Sequence, residues 1–251
     1  MNSIKLALIL LAGGIGKRLN QNISKQMISY NNVSILEMNI INFRKYLPDI
    51  PIQIVSNKRD IIKVSKICKK YNLASPVLGS TERHKSVYNG LKFFEKINPK
   101  YVLIHDTARP LISSEVILKL IEYSKKEIFC VTPVIKINDA LRKISNNIIK
   151  QTISKKNTVL VQTPQLSNYK ILKEILENTN KKFEDESSLF LHNAMKVIAI
   201  DGDGSILTNL GTLPTIANNV ADNFVLLIID NGSYGSTGDQ PTYAGQKTSL
   251  A

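Results

Sequence analysis

The sequence predicts an α/β protein whose central sheet is mainly parallel and carries helices on both faces. Apolar runs of strand length alternate with longer amphipathic stretches along most of the chain, which is typical of strand–helix–strand units with parallel strands. The chain has 251 residues, of which 43% are hydrophobic. It can therefore form one large domain with an appendage.

Strand and helix predictions follow from these runs in chain order. Strands are expected at 5–11, 52–56, 101–104, 128–134, 159–162 and 195–200. Helices are expected at 35–46, 59–71, 82–95, 114–124 and 168–178, with Ser113 or Ser114 as the N-cap of the fourth. Ligands bind beyond the carboxyl ends of the strands in such sheets. Function is therefore expected in the loops at 12–26, 79–86, 105–110 and 163–165.

The segment 139–158 departs from this alternation. Ser145, Asn146 and Asn147 form a turn signal between two stretches of alternating apolar and polar residues, which predicts a β-hairpin arm. An exposed hairpin with apolar side chains needs a partner to cover it. We therefore expect a homodimer formed through this arm.

Charge and cysteine usage limit the possible classes of protein. The formal net charge is +13, but no stripe of basic and aromatic residues accompanies the scattered lysines, so dedicated nucleic-acid binding is not expected. No apolar run reaches the roughly 18 residues of a membrane span. Cys68 and Cys130 lack a metal-like spacing. They are expected to be reduced core thiols of a cytoplasmic protein.

A glycine-rich, basic loop follows the first predicted strand. Gly13, Gly14 and Gly16 would let backbone N–H groups approach a polyphosphate closely. Arg18 and Lys25 would neutralise charge on the phosphates and stabilise the anionic transition state of nucleotidyl transfer. The loop matches neither the Walker pattern nor the dinucleotide-binding pattern. A tight strand-to-helix turn without a ligand is the alternative.

Three further motifs stand in the other expected loops. They are G-S-T-E-R-H-K-S-V-Y-N-G-L at 79–91, H-D-T-A-R-P-L-I at 105–112 and Q-T-P-Q at 162–165. Together with A-G-G-I-G-K-R at 12–18 and S-K-Q at 24–26, they resemble the 2-C-methyl-D-erythritol 4-phosphate cytidylyltransferase family of non-mevalonate isoprenoid biosynthesis. The resemblance covers roughly residues 3–200 and implies a Rossmann-like nucleotidyltransferase domain.

The resemblance implies a CTP site with magnesium as cofactor. Arg18 and Lys25 would be the catalytic cations that stabilise the pentacoordinate α-phosphate. The glycines of the first loop would cradle the phosphates, and the loop at 79–86 would hold the cytosine. The implied CTP-binding residues are Ala12, Gly13, Gly14, Gly16, Ser80, Thr81, Arg83, Ser86 and Asp106.

The resemblance also implies an acceptor site for a sugar-alcohol phosphate. Asp106 would meet ribose or substrate hydroxyls and contact magnesium through water, without direct ligation of the metal by the protein. A cap of the following turn is the alternative role for Asp106, and a structural ion pair is the alternative for Arg109. His84 and His105 are expected to be packing or hydrogen-bonding neighbours rather than ligands. The implied acceptor-binding residues are Asp106, Arg109, Ala140, Lys155 and Thr163.

Three departures from the family pattern concern this acceptor. Ala140 stands where the family has threonine, and Lys155 or Lys156 stands where it has arginine, so a hydroxyl and a bidentate fork are lost. The lysine that follows the family's Asp-Gly-Asp-like turn has no counterpart after 201–203. Each lost charge-assisted hydrogen bond costs about 1.5–3 kcal/mol. We therefore expect slow transfer to methylerythritol phosphate, or another acceptor such as ribitol phosphate or a phosphonate.

The end of the chain carries a second resemblance. The runs M-K-V-I-A-I-D-G-D-G at 195–204 and Y-G-S-T-G-D-Q-P-T at 234–242 are similar to the thiamine-diphosphate-binding domain of sulfopyruvate or phosphonopyruvate decarboxylases. That resemblance implies that Asp203 and Asn231 hold magnesium on the cofactor diphosphate, with a helix at 205–221 between them and a strand at 224–229.

These two resemblances predict a cytidylyltransferase-like domain at 1–198 and a truncated thiamine-diphosphate-like segment at 199–251. Thiamine diphosphate is kept only as an alternative ligand of the tail, because the rest of its binding domain and a partner domain would be needed to activate it. A thiamine-diphosphate-binding decarboxylase fragment and an inactive chimera are the alternatives to the transferase.

Overall fold

The computed structural model describes residues 6–14, 23–156, 158–179, 181–193, 195, 197–202, 224–229, 233–234 and 240–241. It divides into two compact units. The first comprises Met1–Val131 and Thr163–Met195, and the second comprises Thr132–Gln162 and Lys196–Ala251.

Four consecutive parallel strands form the centre of the sheet in the first unit. They are β1 (Leu6–Ala12), β4 (Ile52–Ser56), β5 (Val77–Leu78) and β6 (Tyr101–Asp106), in the order β5-β4-β1-β6. Beside β6 lies β11 (Gln165–Asn168), which is antiparallel to β6 and to the first residues of β7 (Cys130–Lys136). The prediction of a mainly parallel α/β sheet is confirmed.

Six helices are described, each near a position where the sequence has a capping signal or an amphipathic run. They are α1 (Ile35–Tyr46), α2 (Ile61–Lys70), α3 (Arg83–Phe93), α4 (Ser114–Tyr123), α5 (Tyr169–Asn178) and α6 (Glu186–His192). Ser34 and Glu37 form a capping box at the start of α1. Ser113 caps α4 by accepting from the Val116 N–H at 3.4 Å, as expected. None of the described helices is long and apolar enough to cross a lipid bilayer.

The central strands are buried along nearly their whole length. Leu8, Ile9 and Leu10 of β1 and Leu103 and Ile104 of β6 have no exposed surface. Continuous apolar strands of this kind are typical of parallel sheets that are covered on both faces. The packed strands fix the positions at which the functional loops leave the sheet.

The sequence prediction missed several short elements. It missed the hairpin of β2 (Ser29–Tyr30) and β3 (Val33–Ser34), as well as β5, β11 and α6. None of these exceeds seven residues, which is too short to show a helical or strand period.

The second unit contains the predicted arm. Strands β8 (Leu141–Ser145) and β9 (Ile148–Ile153) pair antiparallel. Asn146 and Asn147 join them with φ values of 51° and 60°, the left-handed conformation that asparagine tolerates in hairpin turns. The hairpin prediction is therefore confirmed.

The same unit holds further strand pairs among its described residues. The residues Val134, Ile135 and Lys136 of β7 pair antiparallel with β10 (Val159–Val161). Strand β12 (Val197–Gly202) pairs in parallel with β13 (Phe224–Ile229), so the expected strand at 224–229 is present. Strands β14 (Ser233–Tyr234) and β15 (Gln240–Pro241) form a short antiparallel pair. The helix expected at 205–221 lies outside the described residues.

Candidate functional site

Four strand ends meet at one edge of the sheet in the first unit. The register pairs Ala12 with Ser56, Ser56 with Leu78, and Leu11 with Asp106. The loops that leave these strands are those in which the sequence placed function. Because parallel strands align their carboxyl ends, residues from distant parts of the chain are brought to this edge.

The turn after β1 leaves open space beside its backbone. Gly13 and Gly14 are exposed, and a Cβ atom built on either of them meets nothing within 4 Å. Neither glycine has φ in the left-handed region. Packing and backbone strain therefore do not account for the two glycines, and the backbone there is accessible from outside. The expected site residues Gly16 and Arg18 lie outside the described residues.

Lys25 lies between two buried anchors. It begins a 3-10 turn, Lys25–Met27, and its neighbours Ser24 and Gln26 are 1% and 2% exposed. The Gln26 Nε2 donates to the Ala12 carbonyl oxygen at 2.8 Å and to Asp60 Oδ2 at 3.1 Å. These bonds fix the Lys25 backbone beside the end of β1, while the Lys25 side chain stays half-buried.

Asp60 is the buried carboxylate behind this turn. The Asn57 Nδ2 donates to Asp60 Oδ2 at 2.8 Å, and the Arg59 Nε lies 3.7 Å from Asp60 Oδ1. Arg59 also donates to the Ser24 hydroxyl. The segment after β4 thus holds the Lys25 turn from a second side. No local pattern indicates these polar anchors, because they belong to no periodic run of residues.

The loop after β5 is closed by Ser86. Its Oγ accepts from the Ser80 N–H at 2.8 Å and lies 3.2 Å from the Ser80 carbonyl oxygen. A Cβ atom on Gly79 would lie only 3.0 Å from this Oγ, so a larger residue there would displace the Ser86 hydroxyl. Ser80 and Thr81 are exposed. The loop is therefore preformed, with two hydroxyl groups accessible near the strand edge.

Arg83, the first residue of α3, contacts two carboxylates. Its Nη1 and Nη2 donate to Oε1 and Oε2 of Glu186, the latter at 3.1 Å, and Nη2 lies 3.5 Å from Asp106 Oδ1. Burial disfavours the charged form of Arg83, but Glu186 outweighs burial and raises the pKa of Arg83. Burial raises the pKa of Glu186, and the guanidinium opposes that rise. The sequence analysis placed Arg83 at the site but did not identify Glu186.

His105 organises the end of β6. The ring is fully buried. Its Nε2 lies 2.9 Å from Asn39 Oδ1 and 3.0 Å from the Arg109 carbonyl oxygen, and its Nδ1 lies 3.0 Å from Thr163 Oγ1. Thr163 Oγ1 in turn accepts from the Asp106 N–H at 3.2 Å. The expected acceptor residues Asp106 and Thr163 therefore lie together, and His105 is the hydrogen-bonding neighbour that the sequence predicted.

The partners of His105 define its protonation. The Asn39 Nδ2 donates to two backbone carbonyl groups, which leaves Oδ1 facing the ring. Since this oxygen and the Arg109 carbonyl both accept, Nε2 carries the proton and Nδ1 accepts from the Thr163 hydroxyl. Burial lowers the pKa of His105 to about 4. The ring is therefore neutral at neutral pH.

The remaining expected acceptor residues are divided between the two units. Arg109 is exposed, and its N–H donates to the Asp106 carbonyl oxygen at 3.0 Å in the turn after β6. Ala140 and Lys155 belong to the second unit and are both exposed. The Lys155 Nζ donates to the Asn138 carbonyl oxygen at 2.6 Å.

No three-residue set of His, Cys, Asp and Glu side chains suited to a metal ion occurs within the described ranges. The tail residues Asp203 and Asn231, expected to hold magnesium on thiamine diphosphate, lie outside those ranges. The half-exposed carboxylate of Asp106 is a hard oxygen donor at the strand edge.

Comparison with known proteins identifies the family. The family model described as IspD, 2-C-methyl-D-erythritol 4-phosphate cytidylyltransferase, matches residues 6–211. The chain belongs to this family. The family that the motifs indicated is therefore confirmed.

Curated members of the cytidylyltransferase family show the extent of the match. The 2-C-methyl-D-erythritol 4-phosphate cytidylyltransferase of Clostridium botulinum (strain ATCC 19397 / Type A) is 33% identical over 207 residues, which cover 80% of this chain and 90% of the relative. The bifunctional enzyme IspD/IspF of Wolbachia pipientis wMel is 35% identical over 205 residues, which cover 80% of this chain and 51% of the relative. The chain thus spans about half the length of the bifunctional relatives it matches.

Solved structures of cytidylyltransferases share the fold. The 4-diphosphocytidyl-2C-methyl-D-erythritol synthase of Anaerococcus prevotii has a TM-score of 0.64 at 27% identity and covers 77% of this chain and 87% of its own. The Francisella tularensis cytidylyltransferase has a TM-score of 0.62 at 26% identity, with 78% and 89% coverage.

A second family model matches the tail. It is the C-terminal thiamine-pyrophosphate-binding domain of thiamine pyrophosphate enzymes, at residues 188–251. The two family matches overlap at 188–211, a range that includes β12.

Proposed function

We propose that this chain transfers a cytidylyl group from CTP to 2-C-methyl-D-erythritol 4-phosphate and releases diphosphate, a step of non-mevalonate isoprenoid biosynthesis. The observation that carries the proposal is the Lys25 turn. Its backbone is fixed between two buried polar residues, beside a glycine turn with open space at the carboxyl edge of the sheet. Family membership supports the substrate class.

The chemistry needs positioned cations more than a proton acceptor. A phosphate oxygen of the acceptor attacks the α-phosphorus of CTP, a new P–O bond forms, and the bond to the bridging oxygen of the diphosphate breaks. The attacking phosphate is already anionic near neutral pH, so no general base is required. Arg18 and Lys25 would stabilise the charge that develops on the α-phosphate.

The other site residues would bind and orient the two substrates. The amides of Gly13 and Gly14 would contact the phosphates, next to the buried Ala12. The exposed hydroxyls of Ser80 and Thr81 lie in a preformed loop that suits the nucleoside. Further CTP contacts are proposed for Gly16, Arg83, Ser86 and Asp106.

Magnesium is the proposed cofactor of this reaction. When bound, it would neutralise part of the triphosphate charge. The fit to this chain rests on Asp106, whose half-exposed carboxylate at the strand edge can accept hydrogen bonds from metal-bound water.

The acceptor half of the site is proposed to include Asp106, Arg109, Ala140, Lys155 and Thr163. The missing hydroxyl at Ala140 and the missing fork at Lys155 favour slow transfer, or an alternative acceptor such as ribitol phosphate or a phosphonate. Comparing these acceptors under identical CTP and magnesium concentrations separates the possibilities by kcat/KM. The best substrate by this ratio identifies the acceptor.

A homodimer formed through the arm at 139–158 is part of the proposal. Ile144, Ile148 and Ile149 are 63%, 58% and 64% exposed. Such side chains on an exposed hairpin favour a protein partner. A cytoplasmic location is proposed as well, since Cys68 and Cys130 are both free thiols in the core.

The test is diphosphate release by the purified chain with CTP, magnesium and methylerythritol phosphate. Lys25→Ala should lower kcat about 100-fold or more, because a fixed transition-state cation is lost, while the fold is kept. Lys69→Ala is the matched control, since Lys69 is exposed in the last turn of α2. Full activity of Lys25→Ala, or failure of the parent chain to bind CTP, would contradict the proposal.

The segment after the proposed transferase domain has its own test. We propose the boundary between the transferase domain and the tail near 198/199. The thiamine-pyrophosphate family match at 188–251 makes cofactor binding or a decarboxylase fragment the alternative function of this segment. Calorimetry with thiamine diphosphate and magnesium decides it: micromolar binding supports a cofactor site, and no binding leaves the transferase as the proposed activity.

A further inference from the structure

Glu186 is a buried carboxylate to which the proposed reaction assigns no role. Its side chain is 4% exposed, and both of its oxygens accept from the two Nη atoms of Arg83. Bidentate pairing of this kind fixes the plane of a guanidinium as well as its distance. A buried ion pair stabilises a fold no better than a pair of apolar side chains would. We therefore look for the role of the Arg83–Glu186 pair in the orientation of the Arg83 guanidinium.

Arg83 stands between two acidic groups of unequal exposure. Its Nη2 donates to Glu186 at 3.1 Å and lies 3.5 Å from Asp106 Oδ1. The Asp106 side chain is 37% exposed. One guanidinium thus contacts two carboxylates, and its hydrogen bond to Glu186 is shorter than its contact with Asp106. Arg83 carries one positive charge, and Glu186 and Asp106 carry two negative charges. Asp106, at the strand edge, is therefore the carboxylate whose charge is less compensated.

The start of α6 is fixed independently of this ion pair. The Ser187 N–H donates to Gln165 Oε1 at 2.9 Å, and Asp185 and Ser188 form a capping box. Gln165 is itself fully buried and follows Thr163, whose hydroxyl accepts from the Asp106 N–H. The short segment 163–165 therefore holds the helix that carries Glu186 and the backbone of Asp106.

We infer that Glu186 is a positioning residue, which holds the Arg83 fork in a bidentate pair so that the contact of Arg83 with Asp106 stays at 3.5 Å. Asp106 thereby retains its negative charge for substrate hydroxyls and magnesium-bound water. The inference rests on the proposed function for the use of Asp106. Without the charge of Glu186, the guanidinium would turn to the remaining carboxylate, which is already 3.5 Å away, and would neutralise it.

Glu186→Gln removes the charge while keeping the size of the side chain. We expect a folded protein whose half-saturating magnesium concentration and acceptor KM rise about tenfold, the effect of a loss of about 1.4 kcal/mol of interaction at Asp106. Glu127→Gln is the matched control, because the Glu127 side chain is 98% exposed. It should behave as the parent chain does.

The double variant Arg83→Gln/Glu186→Gln separates positioning from simple structural support. Removing the guanidinium as well frees Asp106 again, so the half-saturating magnesium concentration should return towards that of the parent, although kcat/KM for CTP stays low because Arg83 is also a proposed CTP contact. A damaged fold would not be rescued by a second buried substitution. Parent-like magnesium dependence of Glu186→Gln, or no recovery in the double variant, would overturn the inference.

A crystal structure of Glu186→Gln tests the positioning without any activity. We expect the distance from Arg83 Nη to Asp106 Oδ to shorten to about 2.8–3.0 Å, that of a charge-assisted hydrogen bond. If the parent chain releases no diphosphate but this shift occurs, the positioning stands and the proposed function fails. If Arg83 stays where it is, the inference fails whatever the activity.

Discussion

The carboxyl end of β6 and the hairpin arm differ in what fixes their geometry. At the end of β6, the buried ring of His105 has hydrogen-bonding partners on both nitrogens, and the Asp106 backbone is bonded to Thr163. In the arm, every residue from 142 to 156 is exposed. The first region is organised by the chain itself, whereas the second presents exposed apolar side chains such as Ile144 and Ile149.

This difference separates a region that one chain preorganises from a region that the proposed dimer would cover. Buried polar groups hold a site in place because leaving one unpaired costs about 1–3 kcal/mol. Exposed isoleucines impose no such cost on neighbouring groups, but they gain free energy when a second surface buries them. Substitutions in the two regions should therefore change different measured quantities.

The largest effect on stability is expected at His105. His105→Leu leaves the Asn39 oxygen, the Arg109 carbonyl and the Thr163 hydroxyl without their ring partner. The free energy of unfolding should fall by about 2–4 kcal/mol, measured by urea denaturation. The same change at the exposed His192 should stay within about 0.5 kcal/mol. Equal effects at the two histidines would remove the distinction between buried and exposed polar groups.

The free energy of unfolding should also depend on pH through the His105 ring, by nearly the same amount. The pKa of His105 is lowered by burial from 6.5 to about 4, so below pH 6.5 the unfolded chain binds a proton that the folded chain does not. Stability contributed by the neutral ring is present above pH 6.5 and is lost as the pH falls towards 4, by up to about 3 kcal/mol. His105→Gln should flatten this part of the stability curve. An unchanged curve would show that other groups cause the loss.

Gln26 should give a smaller loss that also reaches the reaction. Gln26→Leu removes the hydrogen bonds to Ala12 and Asp60, so the free energy of unfolding should fall by about 1–3 kcal/mol. The value of kcat should also fall, because the Lys25 backbone is less well fixed. Gln151→Leu makes the same change in the exposed arm and should have almost no effect on either quantity. The pair of variants compares the two regions with identical chemistry.

The smallest effect on unfolding is expected in the arm. Ile144→Lys with Ile149→Lys should change the free energy of unfolding of the single chain by less than about 0.5 kcal/mol. The same double variant should shift sedimentation equilibrium from dimer to monomer, because charge would have to be buried at the interface. Lys150→Gln, also in the arm, is the control. A parent chain that is already monomeric would contradict the proposed dimer.

Much of the fold follows from local sequence. The bounds predicted for α1 and β4 agree with the structure because a capping box starts α1 and a continuous apolar run fills β4. The arm was predictable because Asn146 and Asn147 adopt the left-handed conformation that its turn requires. By contrast, β11 runs antiparallel in four residues, Gln165–Asn168, with too little sequence to show a period.

The loops of the candidate site were predictable from their motifs, but the buried polar residues that support those loops were not. Lys25, Asp106 and Thr163 stand in recognisable loops, and the structure places Asp106 and Thr163 in one hydrogen-bonded group. Glu186 could not be found from sequence, because its partner Arg83 lies far away in the chain and no local pattern links them. Buried polar anchors depend on tertiary contacts, which a local pattern does not encode.

The edge of β12 that pairs with β13 has a consequence for how segments of different ancestry can be joined. Two unrelated family descriptions both include this strand, and β13 pairs with it in parallel through main-chain groups. Amide and carbonyl groups are alike in every lineage, so a strand of foreign ancestry can extend a ladder without matching side chains. A segment of different ancestry can therefore be joined after β12 without altering the strand ends of β1, β4, β5 and β6.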